Sequence, residues 1–362
     1  MCFYISKVVK YRRMQDKEIL MLLSDANKLI KNVVYVNQST EYISLLFKQN
    51  VKKAKFFVPS SIQNNIFEIS QLYGVNITRS RYDKLFTGVI KPANSTESAL
   101  LNYAKLIKTV FLNYKDITID ISTIEFFYNK ISEGLKTNSL YKAYRKTRFT
   151  NYFNISSKKS DRYEGVKANE IKNKLREICA EYNAELAANP DLKLFIIPRF
   201  IAQFIYISPF VRFNYIIANL LIHTCLLKEG YAISRVGKLD EFLNRYKAKM
   251  ESTLVNIQKN LNTGYDSTID FIKFFTEILA KTYADFRVQI SAIEAGKKAV
   301  DVVRKQIKDK FKVFKKREIM KECPYFSKIT IERTLATLVK EEFILIRRQG
   351  KSTRYLVSNT SV

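Results

Sequence analysis

Between Ile207 and Asn219 the chain places a hydroxyl (Ser208), a guanidinium (Arg212) and two carboxamides (Asn214, Asn219) in a loop that runs into a strongly apolar helix. Backbone N–H groups at a helix N-terminus attract anions, so the chemistry open to this stretch is anion binding through Arg212 and Asn214. Proton transfer fits less well, because the Ser208 hydroxyl does not ionise near neutral pH and cannot act as a base. The one histidine, His223, lies inside the following helix and reads as a packed or surface side chain rather than a catalyst. Cys2, Cys179, Cys225 and Cys323 are scattered without Cys-x-x-Cys spacing, so no zinc set can form, and no metal site is expected.

The elements that must position this loop are helical. Only nine Gly and six Pro in 362 residues favour a mainly α protein, and a hydrophobic fraction of 47% suffices for two or three cores. Apolar residues at helical spacing predict helices over about 16–31, 41–57, 98–114 and 121–133, and one that starts at Ile171 and ends near Asn183. The most apolar region, Leu194 to Leu227, is interrupted by Pro198, Arg199, Gln203, Pro209 and Arg212. Its longest clean half is too short for a membrane span, which predicts two buried helices on either side of the loop and no membrane contact. The N-terminus becomes charged before a signal-length apolar run develops, and with unpaired cysteines this points to a cytoplasmic location.

A net charge of +28, from 62 basic and 34 acidic residues, makes a polyanion the default partner, with general drift toward lysine as the competing explanation. From Asp301 onward there are 16 Lys/Arg against 7 Asp/Glu, so the charge is partly localised. Here a basic helix (299–314) leads to a short helix (316–323). A helix capped by Ser327 follows, with Ile331, Leu335 and Leu338 on one face and Lys328, Thr330, Arg333, Thr334 and Thr337 toward another. A hairpin of 344–348 and 354–357 closes the chain. This order resembles a winged helix-turn-helix domain, although Phe343 stands where Gly is frequent. The resemblance implies DNA binding. Arg347, Arg348, Lys351 and Arg354 would touch phosphates from the wing, and Lys328, Thr330, Arg333 and Thr334 would face the major groove. Such domains also serve protein contacts.

The loop itself resembles the signature of the Fic (filamentation induced by cAMP) family, His-Pro-Phe-x-Asp/Glu-Gly-Asn-Gly-Arg-x-x-Arg. Pro209, Phe210 and Asn214 keep the pattern. Ser208 replaces the His, Arg212 the acid, Phe213 and Tyr215 the glycines, and Ile216 and Asn219 the arginines. Residues 66–78 are similar to the family's inhibitory segment, keeping Gly74 and Thr78, but Tyr73 occupies the position of the inhibitory Glu. That Glu pairs with the last Arg of the loop, here Asn219, so both halves of one ion pair are missing together. Ala143-Tyr144-Arg145 is similar to the segment that opens a β-hairpin flap, here expected over 148–155 with a polar turn at 156–161. Pro198, Phe204 and Ile207 before the loop, and Gly230-Tyr231 after the next helix, also match.

The resemblance implies an N-terminal helical region (1–100), a degenerate Fic core with a small flap (101–298) and a winged helix-turn-helix domain (299–362). In the family the His is the base, the acid holds Mg²⁺, the glycines admit the nucleotide to bare backbone and Arg neutralises developing charge. Ser208, Arg212, Phe213, Tyr215, Ile216 and Asn219 depart from each requirement. Phe210, Phe213 and Tyr215 are therefore expected to fill the pocket as core, without catalysis, magnesium or ATP. The function expected is a non-catalytic DNA-binding regulator or scaffold. The alternative is a protein adenylyltransferase with a rebuilt loop that uses Mg-ATP. The basic flap, 145–163, is expected to be a solvated edge or a surface for a protein partner, and homo-oligomers are compatible with all of this.

Overall fold

The computed structural model describes residues 2–49, 65–71, 75, 77–135, 144–147, 149–151, 162–260, 268–294, 299–310, 313–323, 326, 328–348 and 353–358. It is mostly helical. α1 (Cys2–Gln49) is one helix of 48 residues where the apolar spacing predicts two. No Pro or Gly occurs between residues 2 and 49, so nothing interrupts the hydrogen-bond ladder between the two apolar segments.

α2 (65–71) is followed by α3 (Arg79–Phe86), whose N-cap Thr78 accepts the Arg81 N–H on its side chain. α4 (Ser95–Asn113) is capped by Asn94 and α5 (Ile121–Ser132) by Asp120, each side chain accepting a first-turn N–H. β1 (Phe149–Asn151) and β2 (Arg162–Glu164) form the expected antiparallel hairpin, with Thr150 opposite Tyr163. α6 (Ile171–Ala188) runs past its expected end at Asn183. Then come α7 (Lys193–Ile207), α8 (Asn214–Lys228), α9 (Ile233–Val236), α10 (Leu239–Arg245), α11 (Lys247–Asn260) and α12 (Ile269–Glu294).

α8 is the axis of the larger core. Every residue from Asn214 to Leu227 is buried, as a helix without a polar face must be. α4, α5 and α7 pack on it, α6 and α12 cover α7, and α1 lies along α12. Gly230, at φ 90°, ends α8 while its N–H bonds to the Leu227 carbonyl. Among the described residues no helix is long and apolar enough to cross a membrane.

The C-terminal elements are α13 (Ala299–Lys310), β3 (Val313–Phe314), α14 (Lys316–Glu322), α15 (Lys328–Lys340), β4 (Ile344–Arg348) and β5 (Arg354–Val357). The strands make an antiparallel sheet in the order β3-β5-β4. The expected basic helix thus stops at Lys310, and Val313-Phe314 pairs with Leu356 and Tyr355. Burial explains the change, because Phe314 stacks on Tyr355 in a core separate from that of α8. The left-handed residue after α15 is Glu342 (φ 56°), one position before the expected Gly site, which leaves Phe343 free to enter this second core. Ser327 lies outside the described residues. α14 sits on the larger core through two ion pairs to Asp83, from Lys321 (2.8 Å) and Arg317 (3.1 Å), while Glu322 meets Lys238 (2.8 Å).

Candidate functional site

The loop between α7 and α8 is held shut from several directions. Ser208 ends α7 in a left-handed conformation (φ 40°) and is fully buried, its hydroxyl donating back to the Ile205 carbonyl at 2.6 Å. A hydroxyl committed to its own helix end is not presented as a nucleophile or base. Asn214 closes the turn by accepting the Phe210 N–H and donating to the Phe210 carbonyl, at 2.9 and 2.8 Å. The Asn214 amide is therefore used within the loop.

The segment before β1 adds an outer clasp. Tyr144 pairs with Phe210 as an antiparallel bridge, and the Arg145 N–H donates to the Pro209 carbonyl. Phe210 stacks nearly parallel to Tyr128 (centroids 3.9 Å apart, 4° between planes) and to Tyr144 (5.3 Å, 11°). The Tyr144 hydroxyl donates to Glu125 at 2.6 Å. Arg145 is only 3% exposed, and its guanidinium donates to the carbonyls of Ser208, Ile207, Val166 and Thr147. It is a structural cation, and the expectation that Arg145 belongs to a solvated basic edge is corrected. Lys146 beside it is exposed, whereas Arg148, Lys158 and Lys159 lie outside the described residues.

Phe210, Phe213, Tyr215, Ile216 and Asn219 are all buried. Val211 is the exposed member of the loop, and Arg212 is half-buried with its guanidinium 5.2 Å from the Phe213 ring. Phe213 has φ 68°, a left-handed conformation that bulky residues rarely adopt. Phe213 stands where the resembling pattern has Gly, the residue that adopts this conformation without strain. Phe213→Ala should destabilise the fold by about 3 kcal/mol or more through the cavity it leaves. Phe213→Gly should be the milder variant by about 1 kcal/mol, because it relieves the left-handed strain that Ala retains. Urea unfolding of the two variants checks this reversal of the usual order.

Further along α8, Asn219 and His223 enter a buried polar network. Asn219 donates to Asp240 (2.7 Å) and accepts from the Tyr103 hydroxyl. Asp240 also meets His223 Nε2 at 3.1 Å, and His223 Nδ1 meets Ser234 Oγ at 2.7 Å. Ser, His and Asp in line suggest a hydrolase, but all three are fully buried, so no substrate can reach them. His223 is the packed residue of the two options. Asp240 and Ser234 were not singled out by sequence; an acid beside the apolar Leu239 and Phe242 was the available signal.

Tyr73, the inhibitory position, lies outside the described residues. On the C-terminal domain Lys328, Arg333, Arg347 and Arg354 are exposed and Thr330 is half-buried. Thr334 is 3% exposed and faces the second core with Ile331, Leu335 and Leu338, which corrects its assignment to a groove-facing surface. Positions 331, 334, 335 and 338 form one helical stripe, and a threonine methyl is small enough to pack there. Arg348 belongs to β4 without a described side chain, and Lys351 lies outside the described residues. Three clefts formed by described residues lie elsewhere, and none is lined by residues 208–219.

Compared by sequence, the chain matches no family model and no curated protein. Compared by structure, it is similar to a Fic family protein from Desulfovibrio desulfuricans G20. The TM-score is 0.57 and the identity 13%, over 92% of this chain and 96% of that one. The chain has a Fic-like fold. A Fic domain-containing signaling protein from Bacteroides thetaiotaomicron gives TM-score 0.56 and 13% identity over 70% of this chain and 95% of that one. Fic-1 (residues 134–508) from C. elegans gives 0.50 and 14% over 76% and 75%. In this Fic-like fold the turn from α7 into α8 carries two left-handed residues, Ser208 and Phe213, neither of them glycine.

Proposed function

We propose that this protein is a Fic-like protein without nucleotidyl transfer, acting as a DNA-binding regulator or scaffold through a winged helix-turn-helix domain at residues 299–362. The observation that carries the first half is the closed loop. The positions that the resemblance gives to catalysis and nucleotide are occupied by the buried Ser208, Phe213, Tyr215 and Asn219, each packed or hydrogen-bonded within the fold. Arg212 would also repel the Mg²⁺ that an acid at that position would hold.

Support for the second half is the order helix, strand, helix, helix, strand, strand around a separate core, with four exposed cations at Lys328, Arg333, Arg347 and Arg354. The likeness to the Desulfovibrio protein spans 92% of this chain, more than residues 1–298 can supply, since 298 of 362 is 82%. It therefore reaches into the C-terminal domain.

Titration of duplex DNA by gel shift tests the reading. Four phosphate contacts should weaken binding about a hundredfold between 50 and 200 mM salt, and Arg347→Ala or Arg354→Ala should each lower the salt slope by about one. Absent or salt-insensitive binding removes DNA from the proposal. Transfer of label from Mg-ATP to lysate proteins, lost in Ser208→Ala or Arg212→Ala, would instead establish the adenylyltransferase.

A further inference from the structure

The two apolar cores have no described residue in common, and the joint between them is ionic. Asp83 on α3 receives Lys321 at 2.8 Å and Arg317 at 3.1 Å from α14, beside Arg79 of its own helix at 3.6 Å. Glu322, the last residue of α14, meets Lys238 of the larger core at 2.8 Å. Two clefts of about 380 and 540 Å³ run along these pairs and share Glu68, Glu241 and Glu322 in their linings, so the joint is polar and loosely packed.

Ion pairs open to water on one side are individually weak and are screened by salt. Burial lowers the Lys321 ammonium despite its bond to Asp83, and Arg79 and Arg317 add to the fall. The docked state therefore leaves this cation short of negative charge.

Arg317 and Lys321 stand four residues apart on one face of α14, whereas Lys316 turns to Glu332 of its own domain. In the order α14, turn, α15, the helix before the recognition helix is the one that crosses the phosphate backbone of a duplex. The cations that this arrangement would bring to phosphates are those that Asp83 holds. A duplex carries one phosphate for about every 1.7 Å of its axis, a denser anion than a single carboxylate. We propose, building on the DNA-binding domain proposed above, that Asp83 is a built-in stand-in for phosphate. Arg317 and Lys321 are held either by Asp83 or by the DNA backbone, so docking of the C-terminal domain restrains DNA binding, and DNA in turn releases the domain.

Gel shifts of the full chain with duplex DNA at fixed salt test this. Asp83→Asn should tighten binding about tenfold and steepen the salt dependence by about two, the mark of two further phosphate contacts. Adding Arg317→Ala and Lys321→Ala to that variant should abolish the gain. If the parent binds and Asp83→Asn binds no more tightly, the restraint is overturned while DNA binding stands; no binding by either protein would remove both. A gain that survives in the triple variant would overturn the restraint as well, since it would come from net charge alone. Asparagine keeps the shape of aspartate, and circular dichroism checks that the helices remain. Small-angle scattering of the parent needs no variant: its radius of gyration should rise between about 50 and 500 mM sodium chloride as the pairs are screened, and a constant radius would overturn the inference.

Discussion

Arg145→Ala should lower the unfolding free energy by about 3–5 kcal/mol, the range for removing one member of a buried, hydrogen-bonded charge site. The side chain is 3% exposed and supplies donors to four carbonyls, two at the end of α7 and two flanking the hairpin. Alanine removes those donors, and the Ser208 and Ile207 carbonyls lie where water is largely excluded; hydrogen bonds from a charged donor are each worth roughly 1.5–3 kcal/mol. Arg145→Lys separates charge from geometry. An ammonium is a point donor that cannot reproduce the planar fork, so lysine should recover less than half of the loss. Urea unfolding monitored by helical circular dichroism measures both variants. A loss below about 1 kcal/mol in Arg145→Ala would mean that the stacked aromatics hold the loop unaided.

Asp240→Ala is expected to cost a similar amount, about 3–5 kcal/mol, for a different reason. Asp240 is fully buried and accepts from Asn219 Nδ2 and His223 Nε2, and its loss leaves both donors facing apolar surroundings. Asp240→Asn keeps the shape but turns one acceptor into a donor, so it should lie between alanine and the parent. Because Asn219 and Asp240 share a bond, Asn219→Ala and Asp240→Ala should combine to less than their sum. Additive losses in that cycle would dissolve the network into independent contacts.

Much of the helical frame was legible because it depends on local signals. Asn94 and Asp120 precede apolar periodic runs and cap α4 and α5. The two apolar stretches around Pro209 became the buried helices α7 and α8. Elements whose identity depends on distant partners were not readable. Val313-Phe314 becomes a strand only because Tyr355 and Leu356 lie beside it, and a run of two residues has no periodicity to detect. Arg145 sits among lysines and arginines in sequence, and nothing local distinguishes a solvated cation from one that four carbonyls enclose. Thr334 has a polar name but a methyl, and its neighbours on the helix decided which of the two counted.

Within the site, the aromatic filling could be anticipated from Phe210, Phe213 and Tyr215, since such large rings must be buried against something. Asp240 could not be paired with Asn219 and His223 in advance, because their contacts are set by the packing of α10 against the larger core.

Ser208 and Phe213, both left-handed and neither glycine, bear on the order of folding. A glycine turn can sample its final shape before the helices meet, whereas these two residues avoid theirs in a free chain. The bend between α7 and α8 is therefore imposed by the clasp of Arg145, Asn214 and the stacked rings, and it belongs to the late side of the folding barrier. Substitutions at Phe213 should accordingly speed unfolding far more than they slow folding, which makes this loop a determinant of how long the native state lasts.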